Sequence, residues 1–231
     1  METAYQQLSL IEEVVLPAKT TSFGQWSQKL REYARSTALQ QELDYWQSQL
    51  LEPSNPLPVD FAGGDNTKAS VQYVSSHLSS QETQALLKEV PQIYNTQIND
   101  VLLTALVQAY AKWTGQSTLL VELEGHGRED IASKVNLSRT VGWFTTVFPV
   151  LLNLGDTFDQ GNALKKVKEL LRNIPNRGIG YGVLRYLSDE PLINEQLRTL
   201  PQAEVVFNYL GQFDQSIWQS SLFDLAQESS G

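Results

Sequence analysis

Acidic, imidazole and guanidinium side chains follow one another closely between Leu119 and Glu129 of this 231-residue chain. The apolar residues of this segment alternate as they do in a β-strand, which places Glu122 and Glu124 on the same face. Two neighbouring carboxylates disfavour each other's ionisation, so one of them is suited to act as a general base. His126 and Arg128 come directly after the predicted strand, where they could transfer protons or stabilise developing negative charge.

The same residues also have a purely structural interpretation. Glu122, Glu124 and Arg128 could form a solvated ion-pair network, which contributes little to stability. His126 could lie in an ordinary turn between two glycines. Spacing alone favours this structural interpretation, because short motifs are weak evidence of function.

Two further segments contain candidate residues. In a regular strand through Phe207-Asn208-Tyr209, Asn208 and Tyr209 point to opposite faces, so both reach one site only if the strand bulges or ends there. Trp143 follows a glycine in Val141–Thr146. An aromatic residue of this kind lies more often in a core than on a ligand.

The composition argues against several classes of function. Lys and Arg number 17 against 26 Asp and Glu, giving a net charge of −9, and so acidic a chain lacks the basic surface that nucleic acids require. There is no cysteine, which excludes Cys-ligated zinc, and two histidines are too few for a His-rich metal site. No apolar run is long enough for a bilayer, and the N-terminus has acids where a signal peptide has bases. We therefore expect a cytoplasmic protein that binds no metal, nucleic acid or membrane.

Hydrophobic periodicity predicts an α/β fold, in which helices alternate with strands and pack on a sheet. Helices are predicted at 20–50, from 79 onward, and at 97–114, 164–174 and 181–187, and strands at 71–78, 119–124, 147–154 and 203–210. Three prolines and two glycines mark a linker at Leu51–Asn66.

Several segments together resemble the ordered motifs of the epimerization domains of nonribosomal peptide synthetases, which belong to the condensation-domain superfamily. They are Leu16–Phe23, Tyr94–Leu103, Glu124–Glu129, Arg139–Thr145, Gly178–Tyr186 and Phe207–Asp214. The resemblance covers nearly the whole chain. Several motifs in the same order are far more specific than any one of them.

The resemblance implies a fold of two chloramphenicol-acetyltransferase-like lobes with the active site between them. Residues 67–231 would form the C-terminal lobe, a mixed sheet with helices packed on it. Residues 1–66 would be the end of the first lobe, or bridging helices and the linker. The chain would thus supply one side of the active site.

The resemblance also implies a reaction, the inversion of the α-carbon of an aminoacyl or peptidyl thioester. The substrate would be held on the phosphopantetheine arm of a peptidyl carrier protein, with no cofactor bound directly. Glu124 aligns with the catalytic glutamate of the family, and Tyr209 is predicted to assist it. The predicted substrate-binding residues are His126, Arg128, Trp143 and Asn208.

The sequence departs from the family at one point. It contains no His-His-x-x-x-Asp-Gly motif, which in the family lies in the first lobe and supplies the partner acid or base. The chain alone is therefore expected to be inactive and to need the N-terminal lobe as well as the carrier protein. An amide-forming condensation-type fragment and a non-catalytic docking lobe are the alternatives. A lobe without its partner is also expected to expose an apolar patch, which can drive self-association.

Overall fold

The structure is a computed structural model that describes residues 2–50, 56–157 and 159–211. Its α-helices are α1 (Glu2–Ser9), α2 (Phe23–Ala34), α3 (Thr37–Gln40), α4 (Glu42–Leu50), α5 (Ser80–Gln84), α6 (Val90–Tyr94), α7 (Ile98–Thr114), α8 (Gln160–Arg172), α9 (Ile179–Leu187) and α10 (Pro191–Thr199). Its strands are β1 (Thr118–Gly125), β2 (Thr146–Asn153) and β3 (Val205–Phe207). A π-helical turn, Ala85–Glu89, joins α5 to α6, and short 3₁₀ helices lie at Lys68–Ser70 and Pro175–Gly178.

The strands form a mixed sheet in the order β2-β1-β3. β1 pairs with β2 in antiparallel orientation along its full length, and with β3 in parallel orientation over three residues. Pro149 lies inside β2, a position that suits an edge strand because proline donates no ladder hydrogen bond. The predicted mixed sheet with packed helices is confirmed. β1 is central, so the segment after it is positioned from both sides.

Local signals in the sequence fix several helix ends. The Ser22 hydroxyl accepts from the Gln25 backbone N–H at the start of α2, and Ser79 caps α5 in the same way through Glu82. α7 ends at Gly115, whose left-handed backbone suits glycine. These three ends are as the sequence predicts.

The core joins the early helices to the sheet. Trp26 of α2 and Trp46 of α4 are fully buried, and the Trp46 ring packs 5.2 Å from Tyr181 of α9 and 6.2 Å from Phe148 of β2. Residues that precede the predicted linker therefore share one core with the sheet. The division into 1–66 and 67–231 stays a prediction, and residues 51–55 of the linker lie outside the described part of the chain.

The predicted strand over residues 71–78 is wrong. This segment has no regular secondary structure, and all of its side chains are exposed. Alternation indicates a strand only where a neighbouring strand pairs with its backbone. No strand in the described residues lies beside this segment.

Two other elements differ in extent from the prediction, and a third is not predicted. β3 keeps only Val205–Phe207 of the predicted 203–210, because it pairs with just three residues of β1. α8 begins at Gln160, since the Asp159 carboxylate accepts from the Asn162 N–H and caps it early. Periodicity does not predict α10, although Pro191 at its first turn is a helix-start signal. Among the described residues, no helix is long and apolar enough to cross a membrane.

Candidate active site

The C-terminal end of β1 opens onto a cleft of about 500 Å³. Glu124 is exposed near the end of β1, next to the buried Leu123. The cleft is lined by residues of β1 and the segment after it, the start of α7, the end of α8 and the segment after β3. Its polar and charged lining residues are Gln97, Asn99, Asp100, Glu124, His126, Glu129, Arg172, Arg177 and Tyr209.

Asn208 approaches Glu124 from the neighbouring strand. Its side-chain Nδ2 donates a hydrogen bond of 2.6 Å to Oε2 of the carboxylate. β3 ends at Phe207, so Asn208 leaves the ladder while Tyr209 lines the cleft. The strand end is the condition under which both residues can serve one site, and the structure meets it. Glu124, Asn208 and Tyr209 are therefore brought together.

His126 belongs to a second set of side chains at the same cleft. Its Nδ1 accepts a 3.0 Å hydrogen bond from the backbone N–H of Arg128, which leaves the Nε2 proton to face Oε1 of Glu129 at 3.2 Å. Glu129 is only 13% exposed, and its other oxygen lies 3.8 Å from Nε of Arg177. The sequence pattern does not single out Glu129 or Arg177. The one sequence signal for Glu129 is that it lies within the Glu124–Glu129 motif.

Arg128 turns away from the cleft and stabilises the following loop. Its guanidinium donates to the backbone carbonyl oxygens of Leu137 and Thr140, the latter at 2.9 Å. The same group lies 3.9 Å above the centre of the Phe144 ring. These contacts occupy the guanidinium, and Arg128 does not line the cleft. Its predicted role in substrate binding stays a prediction.

The turn between Glu124 and Arg128 depends on glycine at Gly127. Its φ is +65°, and a Cβ built there would lie 1.6 Å from the carbonyl oxygen of Phe144. A larger residue is therefore excluded by both backbone conformation and space. This close approach of the two backbones fixes the path of the chain after β1, and with it the position of His126.

A second cleft, of about 510 Å³, lies between α2, α9 and the start of β2. Glu122 and Trp143 line this second cleft and not the one at Glu124. Tyr181 also lines it, and burial raises the pKa of its phenol. The predicted pair of carboxylates is thus divided between two clefts, and Trp143 is 83% exposed at the rim of the second.

The whole chain, residues 1–231, matches the condensation domain family. The chain belongs to the condensation-domain family. Among similar proteins of this kind, one of the linear gramicidin synthase proteins of Brevibacillus parabrevis is 50% identical over 233 residues, covering 100% of this chain and 3% of that protein. Tyrocidine synthase 1 of the same organism is 42% identical, covering 100% of this chain and 21% of that protein. This condensation-family chain therefore spans a small part of these synthetases.

Solved condensation-family structures agree with the fold described above. The crystal structure of the epimerization domain from the third module of tyrocidine synthetase B matches with a TM-score of 0.82 and 40% identity, covering 91% of this chain and 47% of that one. The first condensation domain of the CDA synthetase matches with a TM-score of 0.56 and 14% identity, covering 76% of this chain and 36% of that one. The second likeness shows the fold alone. The resemblance to epimerization domains is confirmed, and the chain spans about half of such a domain.

Proposed function

We propose that this chain is the C-terminal part of an epimerization domain that inverts the α-carbon of an aminoacyl or peptidyl thioester. The substrate is carried on the phosphopantetheine arm of a peptidyl carrier protein. The observation that carries the proposal is the Glu124 carboxylate, which stands at the cleft with a 2.6 Å hydrogen bond from Asn208. The 40% identity to a solved epimerization domain supports this branch of the family over amide-forming domains.

The contacts of Glu124 suit a general base. Asn208 holds Oε2, which leaves Oε1 free to take the α-proton of the thioester. As the C–H bond breaks, its electron pair moves into the thioester carbonyl and forms an enolate. A charge-assisted hydrogen bond fixes the carboxylate in the geometry that proton transfer requires.

Other groups of the cleft are suited to hold the substrate. Its volume of about 500 Å³ is within the range of small-molecule sites. The Tyr209 phenol lines it and is a hydrogen-bond donor for the enolate oxygen. Asn99 Oδ1 is buried and has no hydrogen-bond partner in the described residues, so it is an acceptor for the N–H of the aminoacyl group.

Inversion also needs a proton donor on the opposite face of the enolate. The sequence has no His-His-x-x-x-Asp-Gly motif, and the chain covers 47% of the solved epimerization domain. We assign the second acid to the N-terminal half of the domain, so the chain alone is expected to be inactive. Loss of one acid or base typically lowers a rate by about 10²–10⁴-fold.

Stereochemical analysis of the product tests the proposal. The chain would be mixed with a separately produced N-terminal half, and an L-aminoacyl thioester on a carrier protein would be hydrolysed and resolved on a chiral column. We expect D-product from the mixture and none after Glu124→Gln, whereas Glu122→Gln in the second cleft retains inversion. Formation of an amide without inversion would instead support a condensation-type domain, and carrier binding without either product would support a docking lobe.

A further inference from the structure

The segment before α9 holds three consecutive residues in the left-handed region. They are Asn176 (φ 43°), Arg177 (φ 52°) and Gly178 (φ 85°). Glycine adopts this conformation without cost and asparagine tolerates it, whereas a long side chain such as that of arginine is disfavoured there. Arg177 therefore depends on contacts made by its neighbours to stay in this conformation.

A buried carboxylate provides those contacts. Glu42 of α4 is 7% exposed, and its Oε1 accepts hydrogen bonds from Nδ2 of Asn176 at 2.7 Å and from the Tyr33 hydroxyl at 2.8 Å. The Asn176 amide also donates to the Tyr33 oxygen at 3.0 Å. We call Tyr33, Glu42 and Asn176 the Glu42 anchor. α9 packs so closely on it that a Cβ at Gly180 would lie 1.9 Å from Glu42 Oε2.

Arg177 directly follows Asn176 of the Glu42 anchor and lies close to the candidate base. The carbonyl oxygen of Arg177 lies 3.6 Å from the position of a Cβ at Gly125, the residue after Glu124. Both Arg177 and Glu124 line the same cleft. The guanidinium nevertheless faces Glu129, at 3.8 Å, while the hydrogen bond found at Glu124 comes from Asn208.

Contact between Arg177 and Glu124 would harm a general base. A cation within about 4–6 Å of a carboxylate favours its ionised form and lowers its pKa by about 1–3 units. A weaker base removes the α-proton more slowly. The other arginine at the cleft, Arg172, is held elsewhere, because its guanidinium donates to the carbonyl oxygen of Asn95 at 2.5 Å.

We propose that the Glu42 anchor is a positioning device that keeps the Arg177 guanidinium on Glu129 and off Glu124. The effect on catalysis rests on the proposed role of Glu124 as the base. The structural part of the proposal, which is the position of the Arg177 guanidinium, does not. Tyr33, Glu42 and Asn176 do not line the cleft at Glu124. They act through the backbone of Arg177.

Carboxyl titration by ¹³C NMR tests the structural part on the 231-residue chain alone, with Glu124 assigned by its loss in Glu124→Gln. Asn176→Gly removes the amide of the anchor while leaving the left-handed backbone accessible. We expect the midpoint measured in this variant to lie below the midpoint measured in the unchanged chain, because a cation then approaches the carboxylate. The charged and titratable groups around it at the cleft are Asp100, His126, Glu129, Arg172, Arg177 and Tyr209.

A second substitution separates positioning from general damage. Adding Arg177→Gln to Asn176→Gly should restore the midpoint, whereas adding Arg172→Gln should not. An unchanged midpoint in Asn176→Gly, or no restoration by Arg177→Gln, would overturn the proposal. If Asn176→Gly fails to fold by circular dichroism, Tyr33→Phe removes one hydroxyl of the anchor and should move the midpoint in the same direction.

The catalytic consequence is measured with the N-terminal half present. Asn176→Gly should lower kcat about tenfold with little change in KM, and Arg177→Gln should rescue it. If the midpoint of Glu124 shifts as expected but inversion does not depend on Glu124, the positioning role of the Glu42 anchor stands and the proposed function is rejected. If inversion depends on Glu124 but the midpoint does not shift, the proposed function stands and the positioning role is rejected.

Discussion

Nδ2 of Asn208 lies 2.6 Å from Oε2 of Glu124, so two residues separated by 84 positions in the sequence share one hydrogen bond at the cleft. β1 and β3 are adjacent and parallel, which brings their ends to the same edge of the sheet. The amide gives the carboxylate a fixed orientation without adding a second negative charge. This relationship is central to the proposed chemistry.

Two substitutions of Asn208 should separate the effect of orienting the Glu124 carboxylate from the effect of a second charge beside it. Asn208→Ala removes the hydrogen bond that orients the Glu124 carboxylate, and the loss of orientation should lower kcat by about 10–100-fold. Asn208→Asp should be at least as damaging, because an ionised carboxylate cannot donate the orienting hydrogen bond and repels Glu124. Steady-state inversion by the chain with the N-terminal half provides the measurement. Activity equal to that of the unchanged chain would show that the hydrogen bond has no catalytic role.

Gly127→Ala should destabilise the fold around the site. The left-handed φ and the Phe144 carbonyl, 1.6 Å from the added Cβ, together predict a loss of about 2–5 kcal/mol in the free energy of unfolding. Gly182→Ala is the matched control, since Gly182 lies inside α9 and its Cβ would meet nothing within 4 Å. That change should stabilise by about 0.5–1 kcal/mol. Urea denaturation of both variants distinguishes the two effects, and equal midpoints would refute the stated geometry.

Alkaline pH should destabilise the chain in part through Tyr45. Burial raises the pKa of this phenol to about 12, against about 10 in an unfolded chain. Below pH 10 the group is protonated in both states, and above it the unfolded state loses the proton first, so the free energy of unfolding falls between about pH 10 and 12.

Tyr45→Phe should reduce that fall, and denaturation curves at about pH 9 and about pH 11 measure it. Burial also raises the pKa of Tyr33 and Tyr181, so some alkaline sensitivity should remain. Tyr73→Phe, at a residue that is 90% exposed, is the control and should leave the fall unchanged. The same fall in Tyr45→Phe as in the unchanged chain would contradict the assignment.

Arg128→Lys should affect stability more than substrate affinity. The lysine ammonium cannot bridge the Leu137 and Thr140 carbonyls in the geometry of a guanidinium, and it stacks less well on Phe144. We expect a loss of about 1–3 kcal/mol in the free energy of unfolding with an unchanged KM for the thioester. A raised KM in a stable, folded variant would instead establish Arg128 as a substrate-binding residue.

Much of the site was predictable because it follows from local pattern. Alternation along β1 and the glycines after it place Glu124 at a strand end. The contact with Asn208 was not predictable from periodicity, because the register between β1 and β3 is not encoded locally. Periodicity predicts a longer β3, in which the side chains of Asn208 and Tyr209 would point to opposite faces. In the structure β3 pairs with only three residues of β1 and ends before Asn208, so both residues can reach the same site.

Other features escape sequence reasoning for physical reasons. Glu122 and Glu124 share a strand face by alternation, yet they line different clefts, because Glu122 lies beside residues of α2 and α9 and Glu124 beside residues of α7 and α8. The left-handed conformation of Arg177 has no local signal, since a residue with a long side chain rarely adopts it, and tertiary contacts of the preceding Asn176 support it. Those contacts come from Glu42, 134 positions earlier.

The most direct test of the central claim is α-proton exchange in D₂O. An L-aminoacyl thioester on a carrier protein would be incubated with the chain, with the N-terminal half, and with both, and deuterium uptake would be read by mass spectrometry. We predict uptake in the mixture alone, and its loss when Glu124→Gln is introduced. Uptake that persists undiminished in Glu124→Gln would contradict the assignment of Glu124 as the base.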